Sequence, residues 1–238
     1  MDGHRSDKHV PANSSHTIAA ILLAAGNGRR FGSNKLMAKV GKKKVYEHIL
    51  DKLVQLDHQA RICVSQYPEI LDAAEKMEFC TVFNDAPELG ISRSIRLGLL
   101  AALEGEASGG PSEDIFLDGN KEYAIGAAMF VVCDQPLLRL SSVETLLKVH
   151  RETDKGIVGL CTANGQGRRG NPVIFDRKYF QELLHLQGDT GGRQVMSRHP
   201  EDILWVPAAA PEELMDIDTA EQLNALNNHI GDGTIRLD

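Results

Sequence analysis

The chain has 238 residues, 42% of them hydrophobic and 25% charged, the proportions of a folded globule rather than of a disordered chain. No run approaches the roughly 20 apolar residues that span a bilayer, and the polar start Met1–Ser15 lacks the apolar core of a signal peptide, so a cytoplasmic protein with no membrane partner is expected. A formal net charge of −7 argues against a nucleic-acid binder, which needs a basic surface to hold phosphates.

Residues 1–16 carry no periodicity and are rich in His, Ser, Asp and Lys, the composition of a disordered tail. The domain is expected over residues 17–230, with 231–238 as a short C-terminal tail. Ile18–Leu23 is an unbroken apolar run of strand length, the mark of a strand buried on both faces of a parallel sheet. A glycine loop follows, and then Val45, Ile49, Leu53 and Leu56 recur at helical spacing. Arg61–Ser65 reads as a second strand, Ile70–Met77 as a helix, Thr81–Phe83 as a strand and Ile91–Leu103 as a helix. Ala127–Cys133 is a second fully apolar strand, reached through the polar Gly105–Tyr123 connection. Helix Val143–Glu152, strands Ile157–Thr162 and Pro172–Phe175, helix Arg177–His185, strand Ile203–Val206 and a helical stretch Ala220–Asn227 complete the chain. Repeated strand–helix–strand units imply a mostly parallel sheet covered by helices. Cys63, Cys80, Cys133 and Cys161 lie apart in apolar or β-rich runs without CxxC spacing, and read as buried reduced thiols.

Charge is unevenly distributed. No Asp or Glu occurs from Lys8 to Tyr46, while Arg29, Arg30, Lys35, Lys39, Lys42, Lys43 and Lys44 fall within sixteen positions. Part of this charge sits in the loop Ala24-Ala25-Gly26-Asn27-Gly28-Arg29-Arg30-Phe31-Gly32-Ser33-Asn34-Lys35, directly after the first strand. Glycines there let backbone amides approach a ligand and form a cradle for phosphate oxygens. The spacing excludes a Walker loop, which needs Gly-Lys-Ser/Thr in succession, and a dinucleotide fingerprint, since the third glycine comes one residue late. Two arginines and a lysine suit a triphosphate better than a diphosphate bridge. A solvated basic turn is the structural alternative, and Lys42–Lys44 are assigned no role.

Asp134 follows the apolar strand and precedes Gln135-Pro136, at the carboxyl edge where open α/β sheets bind ligands. A carboxylate facing a triphosphate is the hard ligand that Mg²⁺ requires; the alternative is a turn or helix-capping aspartate. Asp218, in Asp216-Ile217-Asp218-Thr219, is a second candidate ligand, unless it or Thr219 caps the following helix. Asp216 and Asp218 share a face if this segment is extended, so that only one need reach the metal. Ser92 and Ser94, near a helix start, either bind nucleotide or cap that helix.

Taken in order, Leu23-Ala24-Ala25-Gly26, Arg30-Phe31-Gly32, Lys35, Gly90-Ile91-Ser92, Ser94-Ile95-Arg96, Gly98-Leu99, Cys133-Asp134-Gln135-Pro136, Gly170-Asn171-Pro172-Val173, Gly188-Asp189, Gly191, Arg193 and Asp216-Ile217-Asp218-Thr219 resemble the molybdenum cofactor nucleotidyltransferases, and within them the molybdopterin cytidylyltransferase branch. The resemblance runs from about Ile18 to Leu226 and implies a single Rossmann-like α/β nucleotidyltransferase domain. It places Ala24, Ala25, Gly26, Gly28, Arg29, Arg30, Lys35, Ser92 and Ser94 on the nucleotide, Asp134 and Asp218 on Mg²⁺, and Asn171, Gly188 and Asp189 on the pterin acceptor. Ala-Ala-Gly in the first loop goes with CTP in that family, and Gly-Gly with the guanylyl branch. The implied reaction joins CMP from CTP to the terminal phosphate of molybdopterin with release of pyrophosphate, and a molybdenum hydroxylase is a prospective recipient of the product. The Gly105–Tyr123 connection is longer than usual for the family. An anionic phosphate acceptor needs no base to deprotonate it, so Arg30, Lys35 and Asp134 act by positioning and charge neutralisation. The alternatives are GTP as donor, a sugar or alditol phosphate as acceptor, or a non-enzymatic nucleotide- or pterin-binding chaperone.

Overall fold

In the computed structural model, which describes residues 17–26, 31, 34–56, 60–104, 125–162 and 167–237, strand β1 (Thr17–Ala24) is buried at every position after Thr17. Its side chains alternate between two cores. Ile18, Ala20, Leu22 and Ala24 join one apolar cluster, and Ala19, Ile21 and Leu23 join the other, as the two-residue period of a strand under helices on both faces requires.

Helix α1 (Val45–Leu53) leads to β4 (Ala60–Ser65), α2 (Pro68–Glu75) to β5 (Cys80–Phe83), and α3 (Ile91–Glu104) precedes β6 (Ile125–Val132). Val45, Ile49 and Leu53 of α1, with Ile70 of α2, cover the first face. The second is covered by Ile95, Leu99 and Leu103 of α3, whose spacing makes one helical stripe. Gly98 lets α3 lie close to the sheet, since a Cβ there would come within 2.4 Å of Ile21 Cγ2.

After β6 come α4 (Leu140–Glu152), β7 (Ile157–Cys161), β8 (Arg169–Asp176), α5 (Phe180–Leu184), α6 (Arg193–Arg198), β9 (Ile203–Pro207) and α7 (Ala220–Gly231). The seven-stranded sheet has the order β5-β4-β1-β6-β8-β7-β9. Pairs β1·β4, β1·β6, β4·β5 and β7·β9 are parallel, whereas β8 runs antiparallel to both neighbours. The direct return from β7 into β8 is too short to contain a crossover helix, so this pair is a hairpin. The sheet is therefore mostly parallel, flanked by helices on both faces. From β1 the chain steps to β4 on one side and later to β6 on the other, which makes the carboxyl ends of β1 and β6 the switch point where such sheets bind ligands.

Several expectations change. Residues 39–44 form a tight hairpin, β2 (Lys39–Val40) with β3 (Lys43–Lys44), turned at Gly41 with φ +60°. The helix expected over Arg177–His185 begins as a 3-10 turn, Arg177–Tyr179, before α5. Residues 231–237 are not a loose tail: Ile235 and Leu237 pack against the core, and Asn227 bonds both Gly41 N–H and the Lys39 carbonyl across the β2–β3 hairpin. Cys80 is exposed, because β5 is an edge strand, while Cys63, Cys133 and Cys161 are buried. The expected tail 1–16 and the Gly105–Tyr123 connection lie outside the described residues. Among the described residues no helix is long and apolar enough to cross a membrane.

Burial pushes the Cys63 thiol up to about 12 and Cys133 well above the usual range, so both resist forming thiolate. Native protein treated with an aromatic disulfide reagent is expected to lose one thiol quickly, that of Cys80, and all four after denaturation. The fast phase should vanish in Cys80→Ser.

Candidate functional site

A cleft of about 580 Å³ opens at the carboxyl ends of β1 and β6, lined by Ala25, Gly26, Lys35, Ser94, Asp134 and Asp218 among others. Its first wall is the exit of β1. Three successive side chains at the end of β4 bond three successive carbonyls there: Ser65 Oγ donates to Ala24 (2.9 Å), Gln66 Nε2 to Ala25 (2.8 Å) and Tyr67 Oη to Gly26 (3.0 Å). In a trans peptide the following N–H points opposite to the carbonyl. Holding the carbonyls of Ala24 and Ala25 on β4 therefore turns the amides of Ala25 and Gly26 away from it. Gly28, Arg29 and Arg30 lie outside the described residues.

Lys35 opens a 3-10 turn, Lys35–Met37, capped by Asn34, whose side chain accepts from Leu36 N–H (3.1 Å). Leu36 is buried and anchors the turn. From it the Lys35 ammonium donates to Asp134 Oδ2 at 2.6 Å and to Asp218 Oδ1 at 2.9 Å. Burial alone would lower the lysine pKa, but the two carboxylates outweigh it and hold the ammonium above its ordinary value. Because the folded value is the raised one, the pairing contributes stability through neutral pH and loses it as pH rises through that value.

The segments carrying the two aspartates are stitched together. Ile217 N–H donates to the Asp134 carbonyl (3.0 Å), and buried Glu213 accepts from the backbone N–H groups of Arg139 (3.0 Å) and Ala210 (2.8 Å). Buried Lys52 holds the Pro136 carbonyl (3.2 Å). Asp134 sits in a turn, and the N-cap of α4 is Arg139, so Asp134 is not a helix cap. Thr219 caps α7, accepting from Gln222 N–H, and the Asp218 carboxylate reaches Lys35 instead. Asp216 turns elsewhere, to Gln135 Nε2 (2.7 Å) and Arg168 (2.6 Å). Burial, with the charges of Asp134 and Asp218 adding to it, raises the Asp216 pKa against the opposing pull of Gln135 and Arg168.

The opposite wall is the 3-10 turn Pro87–Leu89 and the start of α3. Ser94 accepts from buried Asn84 (3.0 Å) and lines the cleft; Ser92 is buried, is not among the lining residues, and donates its N–H to the Gly188 carbonyl (3.3 Å). They are the second and fourth residues of α3, so neither is its cap. Gly90, at φ +89°, lies against Gly188 so closely that a Cβ would meet the Gly188 carbonyl at 2.4 Å. This contact brings Asp189 into the cleft lining beside the nucleotide-side residues. Asn171, half-buried ahead of the cis bond to Pro172 at the start of β8, is not among the lining residues.

Ser65, Gln66, Tyr67, Asn84 and Lys52 escape a reading of motifs because each acts on backbone or on a neighbour far along the chain. One signal was present: Ser65-Gln66-Tyr67 ends a strand beside β1, level with the glycine loop.

Asp134 and Asp218 are the carboxylates that could hold a divalent cation. Both already converge on one cationic group, and two hard oxygen donors beside phosphates suit such an ion. The model of the MobA-like NTP transferase domain matches residues 20–203, which includes most of β1, the first loop, α3 and Asp134.

The chain belongs to the MobA-like NTP transferase domain family.

It thus carries an NTP transferase domain of the MobA-like type. Among curated relatives, the bifunctional protein GlmU of Rippkaea orientalis is 25% identical over 162 residues, 66% of this chain and 31% of that protein. The chain therefore spans about a third of that relative. The crystal structure of Rv0371c from Mycobacterium tuberculosis H37Rv matches with TM-score 0.65 and 22% identity over 90% of this chain and 98% of that one, and the same protein has been solved in complex with manganese. Molybdopterin-guanine dinucleotide biosynthesis protein A from Archaeoglobus fulgidus matches with TM-score 0.61 and 14% identity, covering 90% of this chain and 100% of that one. At these identities the structural likenesses speak to the NTP transferase fold alone.

Two substitutions test the walls of the NTP transferase cleft. Tyr67→Phe removes one hydrogen bond to Gly26, a net loss of about 0.5–1.5 kcal/mol, and should weaken nucleotide binding about two- to tenfold in a calorimetric titration while lowering the melting temperature by only a few degrees. Gly90→Ala forces strain of about 1–3 kcal/mol on a positive-φ position against backbone. It should lower both melting temperature and nucleotide affinity; unchanged values in both would show that the Gly90–Gly188 contact does not support the wall.

Proposed function

We propose that this protein transfers CMP from CTP to the terminal phosphate of molybdopterin or the molybdenum cofactor, releasing pyrophosphate, with Mg²⁺ as the activating ion. The observation that carries the reading is the convergence of Lys35, Asp134 and Asp218 at the switch point, next to a loop that begins Ala24-Ala25-Gly26. A cleft with two hard carboxylates and a lysine suits a metal-bound triphosphate. The Ala-Ala-Gly start favours CTP through the family resemblance, and the Gly188-Asp189 wall, packed against α3, favours an acceptor site facing the nucleotide.

In this reading the amides turned inward at Ala25 and Gly26 receive the nucleotide, with Gly28, Arg29, Arg30 and Ser94 completing its site. Arg30 and Lys35 neutralise charge on the departing pyrophosphate. Asp134 and Asp218 would hold the ion, which would supply polarisation of the α-phosphoryl group. The acceptor phosphate is already anionic near neutral pH, so no general base is required. Asn171, Gly188 and Asp189 orient the acceptor, and a molybdenum hydroxylase would receive the product. A second reading keeps the same machinery with a sugar or alditol phosphate as the acceptor.

Pyrophosphate release measured with CTP, GTP and ATP, each with molybdopterin or with a panel of sugar and alditol phosphates, separates these readings. Release with CTP and molybdopterin is expected. Release confined to sugar phosphates would replace the acceptor, and none with any pair would leave a binding protein. Asp134→Ala should reduce turnover at least about a thousandfold, in line with the loss of a principal charge-stabilising group, with circular dichroism unchanged. Near-normal rates would sink the metal assignment.

A further inference from the structure

Among the described residues, the turn capped by Asn34 and the burial of Leu36 hold the Lys35 backbone, and its ammonium bonds the carboxylates of Asp134 and Asp218. We propose that the Lys35 ammonium is an internal stand-in for the divalent cation, occupying the metal position until a triphosphate draws it off, so that bare metal is kept out and metal enters together with nucleotide. The inference rests on the reading of Asp134 and Asp218 as metal ligands.

Geometry supports the exchange. One nitrogen lies within hydrogen-bond distance of one oxygen from each carboxylate, so it sits at the point on which both can act. The Lys35 side chain is 12% exposed, that of Asp134 22% and that of Asp218 45%, so the approach from solvent is over Asp218 while the lysine lies deeper. The Lys35 Cα is fixed by the capped turn and by buried Leu36, but a four-carbon stem lets the ammonium travel several ångströms with the backbone still. The cleft supplies a second destination, since Ala25, Gly26 and Lys35 line it together.

Charge explains why the exchange needs nucleotide. Two carboxylates and one ammonium leave a single negative charge, and a doubly charged ion cannot share that point with the ammonium without strong repulsion. When triphosphate is present, Lys35 has an anion to follow, and the carboxylates are left to the incoming ion. A purely structural lysine behaves differently: its removal would splay or protonate the carboxylates and weaken any metal site built from them.

Mn²⁺ titrations followed by electron paramagnetic resonance of the free ion, with no nucleotide and no turnover, distinguish the two. Lys35→Met and Lys35→Gln, each shown folded by circular dichroism, are expected to bind Mn²⁺ about tenfold or more tightly than the unaltered protein, within the range of ordinary coupling between ligands. Asp134→Asn, alone or combined with Lys35→Met, should abolish that binding. Equal or weaker Mn²⁺ binding in both lysine variants, still lost with Asp134→Asn, would overturn the exchange and leave the metal reading standing. Binding indifferent to Asp134→Asn would overturn both.

Discussion

One ammonium between two carboxylates ties together parts of the chain that are about a hundred and nearly two hundred residues apart. Lys35 reaches Asp134 across 99 positions and Asp218 across 183. The loop after β1, the turn after β6 and the approach to α7 must all end at the same point for that contact to exist. The supporting bonds are mostly to backbone: Ile217 to Asp134, Lys52 to Pro136, Glu213 to Arg139 and Ala210. Such bonds locate peptide units rather than side chains, and so set where the aspartates emerge.

The sheet makes this convergence possible. With β4 and β5 on one side of β1 and β6 on the other, the exits of β1 and β6 are adjacent, at the switch point where such sheets bind ligands. The hairpin between β7 and β8 reverses β8, so its first residues lie at the same edge as the carboxyl end of β6. The segment from Gly188 then crosses to α3, where Gly90 and Gly188 meet without side chains between them. The start of α3 and the Gly188–Asp189 wall of the cleft are thereby joined through backbone contact.

The polarity of the cleft follows from what borders it. Leu23, Val132 and Cys133 floor it with apolar strand ends, while among the described lining residues the charged ones are Lys35, Glu88, Asp134, Asp189 and Asp218. An apolar floor strengthens each charge interaction above it by limiting water.

By itself the sequence determined the local facts: apolar strands at Ile18–Leu23 and Ala127–Cys133, the helical stripe Ile95, Leu99, Leu103, a glycine loop unlike a Walker or dinucleotide loop, and acidic residues just past strand ends. These follow from side-chain period and from backbone chemistry, which act over a few residues. The tertiary structure decided what depends on non-local distances. It chose Thr219 rather than Asp218 as the cap, sent Asp218 to Lys35 and Asp216 to Arg168, and reversed β8. It also placed Cys80 on an exposed edge, folded the last residues onto the core, and set Ser65, Gln66 and Tyr67 against three carbonyls 41 positions earlier. No pattern within one segment encodes such pairings, because each exists only once the strands have taken their order in the sheet.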